Sequence, residues 1–186
     1  MTAIAPCAPL PAAAAQRIRP FTTGDVPAYG ALIAALSPAD RRMRFHSAAG
    51  PPGPDELRTM LLGPHAADAV LAESADGALR GVAHAALGDT PKRAEFGIIV
   101  EAPFRRRGLG GAMTDALLRA LAARGVVAVD AYTLWENVPA AALLRSRGFH
   151  GRHDGGGSVH WTLALRADYA ASIIVVPRDA VRCVRA

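Results

Sequence analysis

Val100-Glu101-Ala102-Pro103-Phe104-Arg105-Arg106-Arg107-Gly108-Leu109-Gly110-Gly111 is the stretch on which the reading of this chain turns. Ile98-Ile99-Val100 leads into it as a β-branched run, and Met113, Leu117, Leu118 and Leu121 follow at helical spacing. The segment therefore carries a strand through a Gly-rich turn into a helix. Such a turn converges consecutive backbone N–H groups on one point, and the helix start adds the positive end of its dipole, so the product is an anion cradle. Gly108 and Gly110 let the backbone come close where a Cβ would meet phosphate oxygens. Arg105, Arg106 and Arg107 add charge suited to a pyrophosphate. No Lys-Ser/Thr follows the glycines, and Arg105-x-x-Gly108-x-Gly110 is not G-x-G-x-x-G, so neither the P-loop nor the dinucleotide fingerprint fits. A glycine cluster taken alone is equally compatible with a plain turn.

Outward from this turn, the pattern predicts a mixed order of elements. Toward the N-terminus, Ala69 to Ser74, Leu79 to Leu87 and Arg93 to Val100 read as three antiparallel strands, with Asp76-Gly77 as the first hairpin turn. Before them, Arg17 to Phe21 reads as a strand. Thr22 to Asp25 caps a helix to about Leu36, Ser37-Pro38 opens a second helix, and Asp55 to Leu62 forms a third. After the turn come a helix over Ala112 to Ala123, a strand over Val126 to Leu134, a helix over Asn137 to Arg147, and a strand pair within Phe149 to Leu165. Runs of this kind predict an α+β fold with a central mixed, mostly antiparallel sheet flanked by helices.

The 186 residues suit one such domain over 17–165. Residues 1–16, interrupted by Pro6, Pro9 and Pro11, read as a disordered leader and not a signal peptide; 166–186 reads as a tail in which Ser172 to Val176 can add a strand. Cys7 and Cys183 sit near opposite ends with no metal-like spacing, which points to a reduced, cytoplasmic protein. No stretch has the length of apolar residues that a membrane helix needs, so no membrane is expected. The formal charge is +5 and Lys92 is the only lysine. Few aromatics lie among the arginines and no helix-turn-helix or zinc pattern appears, which argues against nucleic acid. His150, His153 and His160 straddle a hairpin without cysteine or carboxylate companions, so no metal is expected either. Trp135 and Trp161 are expected to pack, and His84 reads as a packed or solvent-facing residue more readily than as a proton relay.

The Arg105-x-x-Gly108-x-Gly110 segment after a strand resembles motif A of the GNAT N-acetyltransferases. Asn137-x-x-Ala140-x-x-Leu143-Leu144 with Gly148-Phe149 is similar to that superfamily's second cofactor-facing helix, at the expected distance. The resemblance covers roughly Arg17 to Leu165. It implies a strand that splays from its neighbour, so that Ile98, Ile99 and Val100 pair with the pantetheine arm of acetyl-CoA. It further implies that Arg105, Arg106, Arg107, Gly108, Leu109, Gly110 and Gly111 face the pyrophosphate, with Asn137 on the second helix. Leu36 to Phe45 and Ala94-Glu95-Phe96 look like the GNAT domain of bacterial protein lysine acetyltransferases.

Acyl transfer to an amine requires a neutral nitrogen, hence a base for an ammonium whose unperturbed pKa is near 10. The resembling lysine acetyltransferases use the glutamate of the Ala-Glu-Phe segment, which here is Glu95. Period-two alternation groups Glu95 with Gly97 and Ile99; the other reading of Glu95 is a solvated carboxylate beside Arg93. Many GNAT enzymes carry a tyrosine that protonates the leaving thiolate where this chain has Leu144. The expected partners are acyl-CoA and an amine acceptor, with a protein lysine favoured. A small amine such as an aminoglycoside or polyamine is the alternative, and so is a GNAT-fold sensor that binds acyl-CoA without turnover. Arg41, Arg42 and Arg44 either border the acceptor cleft or form a solvated helix face.

Overall fold

A computed structural model of the chain describes residues 17–46, 52–88 and 90–170. The expected leader, both cysteines and the strand anticipated at 172–176 lie outside these residues. Among these residues seven strands, β1 (Arg17–Pro20), β2 (Ala66–Glu73), β3 (Leu79–Leu87), β4 (Arg93–Val100), β5 (Ala128–Leu134), β6 (His150–His153) and β7 (Ser158–Ala164), form one sheet in the order β1-β2-β3-β4-β5-β7-β6. Every neighbouring pair is antiparallel except β4 with β5. The mixed, mostly antiparallel α+β architecture is the one the sequence predicts.

Among the described residues, five α-helices accompany the sheet: α1 (Val26–Ala34), α2 (Pro38–Phe45), α3 (Pro54–Leu62), α4 (Leu109–Ala123) and α5 (Val138–Ser146). Their starts follow from local chemistry. The Ser37 hydroxyl accepts the Asp40 N–H at 3.0 Å, and Pro38 takes the first helical position, where its missing N–H costs nothing. Asn137 caps α5 by accepting the Ala140 N–H at 3.2 Å. Helix α4 begins at Leu109, three residues before the sequence places it, because Gly108 acts as its N-cap in the left-handed region. Gly110 and Gly111 in its first turn have low helix propensity, which masks that start in the sequence.

Alternation along the strands sorts the core into two layers. Ala69 and Leu71 of β2 and Val82 of β3 pack with Tyr29, Ile33 and Leu57 of α1 and α3. Val70, Ala72, Ala83 and Ala85 pack on the other face with Met113, Leu117 and Leu121 of α4. On β4, Ala94 and Phe96 join the α4 layer while Ile99 joins the α1–α3 layer, which puts Glu95 and Gly97 on the α1–α3 side with Ile99.

The parallel pair is short. β4 and β5 pair only at Arg93–Ala128, Ala94–Val129 and Glu95–Asp130. Beyond that point β5 continues along β7 as far as Leu134, and β4 continues along β3 as far as Val100. The two strands part, and one edge of the segment from Phe96 to Val100 is left without a strand partner.

Candidate active site

The parting of β4 and β5 opens a cleft of about 720 Å³, within the range of small-molecule and cofactor sites. Its floor is Ile98, Ile99 and Val100; α2 forms one wall, and α4 and α5 form the other. At its closed end the backbone reverses twice, with Arg106 at φ 60° and Gly108 at φ 82°. A non-glycine residue in the left-handed region is uncommon, and a turn of this kind can gather successive N–H groups into a nest. The first N–H groups of α4 have no intrahelical partner and extend that nest.

The two glycines at the start of α4 do different jobs. A Cβ on Gly110 would meet only Leu143, Ile98 and Val100 at 3.6–3.8 Å, which is ordinary contact. Packing therefore tolerates a Cβ there, and its absence leaves the start of α4 without a side chain at this point of the cleft. A Cβ on Gly111 would collide with the Arg147 guanidinium, which Asp115 holds at 3.1 and 3.2 Å. Gly111 is needed for packing.

Two ion pairs cross the cleft from α2. Arg105 Nη1 donates to Asp40 at 2.6 Å while its Nε donates to the Val100 carbonyl at 2.9 Å. Arg105 thereby holds the Asp40 carboxyl below the ordinary carboxylate range. Arg42 pairs with Glu136 in the turn before α5. The charge of Arg105 is thus shared with a protein carboxylate, whereas the exposed Arg106 lines the cleft with no carboxylate partner among the described residues. Arg107 lies over the Phe104 ring at 5.8 Å.

Around the first half of β4, Glu95 is exposed and stands beside Asp130 in register. Arg93 does not serve Glu95. It grips Asp130 with both Nε and Nη2, the latter at 2.8 Å, and His160 also reaches Asp130 at 2.6 Å. Burial alone would raise the Asp130 carboxyl, but hydrogen bonds from Arg93 and His160 hold it below its ordinary value. Glu95 has no ion-pair partner among the described residues and faces solvent. His84 is buried against Arg44; burial first, then the neighbouring cation, push its pKa down to about 3. An imidazole so weakly basic is a poor proton acceptor near neutral pH.

A family model described as Acetyltransferase (GNAT) family matches residues 38–149, which spans the cleft from α2 to the end of α5. The chain belongs to the GNAT acetyltransferase family. It is an acyl-CoA-dependent N-acetyltransferase by that membership. Solved structures agree on the fold. The GNAT domain of S. lividans PAT is 16% identical with TM-score 0.72, covering 81% of this chain and 90% of that one. A GNAT superfamily phosphinothricin acetyltransferase from Sinorhizobium meliloti, in complex with AcCoA, is 17% identical with TM-score 0.70, covering 87% and 94%. Spermidine N-acetyltransferase from Vibrio cholerae, in complex with CoA and spermine, is 16% identical with TM-score 0.65, covering 83% and 97%. No curated protein matches the chain.

Of the residues singled out from sequence, Ile98, Ile99, Val100, Arg105, Arg106, Gly108, Gly110, Gly111 and Asn137 line this GNAT cleft. Leu109 is buried in the core at 4% exposure, so only its backbone N–H is free to face a ligand. Arg107 and Glu95 lie outside the lining, although Glu95 is on the strand that floors it. Leu144 is 2% exposed and packs in the core, and its neighbour Leu143 faces the cleft; neither can donate a proton. Tyr132, half exposed, stacks on His160 with centroids 4.7 Å apart. Trp161 packs as expected, but Trp135 is 64% exposed because it sits in the turn beyond the end of β5, past the last sheet pair. Sequence reasoning missed Asp40, Glu136 and Arg147, which line the cleft through long-range partners that no local pattern announces. The adjacent glycines 110 and 111 were the one available signal for Arg147. Among the described residues no group of three or more His, Cys, Asp or Glu is placed to hold a metal ion, and no helix is long and apolar enough to cross a membrane.

Proposed function

We propose that this GNAT enzyme moves an acetyl or other short acyl group from acyl-CoA to a primary amine, by direct attack within a ternary complex. One observation carries the reading: a single strand, β4, bears an anion nest at one end, a free edge in its middle and an unpaired carboxylate toward its start. The cleft fits acyl-CoA on three counts. The backbone of 106–111 suits the pyrophosphate, the unpaired edge of Ile98 to Val100 suits the amides of the pantetheine arm, and the absence of a side chain at Gly110 lets phosphates approach the start of α4. When bound there, acyl-CoA supplies the thioester.

The chain's own residues do the rest. Glu95 takes the proton that the acceptor ammonium must lose, directly or through a water. Arg106 and the α4 N–H groups hold the phosphates, and Asn137 and Leu143 border the arm. Product is the amide and free CoA thiol. With leucines at 143 and 144, the thiolate takes its proton from water or from another group such as Tyr132, whose hydroxyl is held protonated because burial first, then Asp130 and Glu95, raise its pKa.

The favoured acceptor is a protein lysine in a cytoplasmic setting. Three features support it: the Leu36–Phe45 and Ala94–Phe96 segments, the exposure of Glu95, and exposed Trp135 and Val138 near the cleft mouth, which offer contact area to a macromolecule. A small amine is the second reading, favoured by the likeness to spermidine N-acetyltransferase. The test is to incubate the purified chain and acetyl-CoA with either cell extract or a panel of amines, reading acetyl-lysine by mass spectrometry and thiol release by absorbance. Enzyme-dependent protein acetylation is expected. Turnover of polyamines with no protein acetylation would overturn the acceptor assignment, and no thiol release with any amine would overturn catalysis.

A further inference from the structure

Arg44 projects from α2 into the cleft in a way that sets it apart from the other arginines there. Among the described residues, Arg42 pairs with Glu136, Arg105 with Asp40 and Arg147 with Asp115, while Arg106 is exposed to solvent. Arg44 is half-buried, lines the cleft and has no carboxylate partner. Its neighbours are the imidazole of His84, the hydroxyl of Tyr29 and the ring of Phe45 at 4.9 Å from its guanidinium carbon. A partly desolvated cation without an anion is costly, which makes the position unusual as a purely structural choice.

The Arg44 guanidinium can only donate, so His84 Nε2 accepts from it and the neutral imidazole carries its proton on Nδ1. That Nδ1 and the Arg44 Nε are both buried without a partner among the described residues. Space has been made for this group. A Cβ on Gly97 would stand 2.8 Å from Arg44 Nη2 and 2.9 Å from His84 Nε2, so glycine at 97 is what lets the guanidinium rest on β4.

The location along β4 says what the cation is for. Gly97 lies between Glu95, the proposed base, and the Ile98–Val100 edge, the proposed seat of the pantetheine arm. With about 3.3 Å of rise per strand residue, the guanidinium is within roughly 7 Å of Glu95 along the strand. It sits at the opposite end of the cleft floor from the phosphate nest. We infer that Arg44, set on Gly97 by its contact with His84, is a subsite for a carboxylate carried by one of the two substrates close to its reacting atom. The planar fork of arginine suits a carboxylate's two oxygens. The carboxylate belongs either to the acyl group, as in a dicarboxylic acyl-CoA, or to the acceptor, as in an α-amino acid. The inference rests on the acyltransferase reading and narrows its substrate class.

Two matched pairs separate the sources. Succinyl-CoA is compared with acetyl-CoA on one neutral-bodied amine, and an α-amino acid is compared with its carboxamide under acetyl-CoA. In one pair the carboxylate-bearing member should be favoured in kcat/KM by about tenfold to a hundredfold, the range a charge-assisted hydrogen bond supports. Arg44→Gln should bring that ratio close to one, and Gly97→Ala, which displaces the guanidinium and leaves the charge in the chain, should lower it too. Equal rates in both pairs for the wild type overturn the subsite, whatever the variants' stability, as does a preference that survives Arg44→Gln in a folded variant. Equilibrium titration of the same ligands is read alongside. Tighter binding of the carboxylate member with no thiol release would sustain the subsite while sinking the acyltransferase reading, and turnover without preference would do the reverse.

Discussion

At its C-terminal end β4 runs into the turn and first helical turn of α4, where the groups proposed to meet the phosphates are main-chain N–H groups of 106 to 111. Around its middle the groups are side chains, half-buried Arg44 and exposed Glu95 with Tyr29 and His84 buried behind Arg44, brought from α1, α2, β3 and β4 across nearly 70 positions. The first region depends on backbone conformation, with left-handed residues at Arg106 and Gly108 and no side chain at 110 and 111. The second depends on which side chains the sheet and helices bring together, and it can change its substrate while the fold stays fixed. On the proposed reading, the first end serves the cofactor and the second serves the acceptor.

The largest expected effect tests the side-chain region. Glu95→Gln keeps shape and deletes basicity, so turnover should fall by ~10²- to 10⁴-fold at neutral pH with acetyl-CoA affinity unchanged. Steady-state kinetics paired with titration reads both, and a near-wild-type rate across pH 6 to 9 would assign deprotonation to another group.

Next comes stability at acid pH. His84 ordinarily titrates near 6.5 and in the folded chain only near 3, so between those values the unfolded state binds the additional proton. Its contribution is fully present above pH 6.5 and is lost as pH falls toward 3, at ~1.4 kcal/mol per pH unit. Melting curves at pH 7.5 and 4.5 should show the wild type losing roughly 2–3 kcal/mol more than His84→Gln. Equal losses would place His84 in a wetter setting than the fold gives it.

Two smaller effects probe the backbone region. Gly108→Ala forces a side chain into the left-handed region and should cost roughly 1–2 kcal/mol in thermal unfolding. Asp40→Ala frees Arg105 for the ligand, and acyl-CoA binding should tighten by about twofold to fivefold at low salt, the scale of an exposed ion pair. Weakened binding instead would show that Asp40 orients Arg105 usefully.

Much of this was legible in the chain. The mixed strand order, the cap at Ser37 and the β4–turn–α4 unit follow from short-range rules, since each depends on residues a few positions apart. The start of α4 was hidden because glycines that serve a ligand or a neighbour look like helix breakers. Arg93 seemed a companion for Glu95 by proximity in sequence, yet the register of β5 presents Asp130 to it first. The role of Arg44 was open among three nearby arginines, and only the packing of Gly97 and His84 beneath α2 separates it from the paired Arg42.

Titration of acetyl-CoA into the wild type and into Gly110→Glu tests most directly that the parted strands hold acyl-CoA with its phosphates at the start of α4. The wild type should bind one equivalent, and the variant should bind at least about a hundredfold more weakly, since a carboxylate ~4 Å from phosphate costs several kcal/mol at a partly screened site. The Cβ itself is accommodated at 3.6 Å from Leu143, so the variant's melting temperature without ligand reports that the fold is kept. Equal affinity in a folded Gly110→Glu would contradict the placement of the phosphates and, with it, the assignment of this cleft.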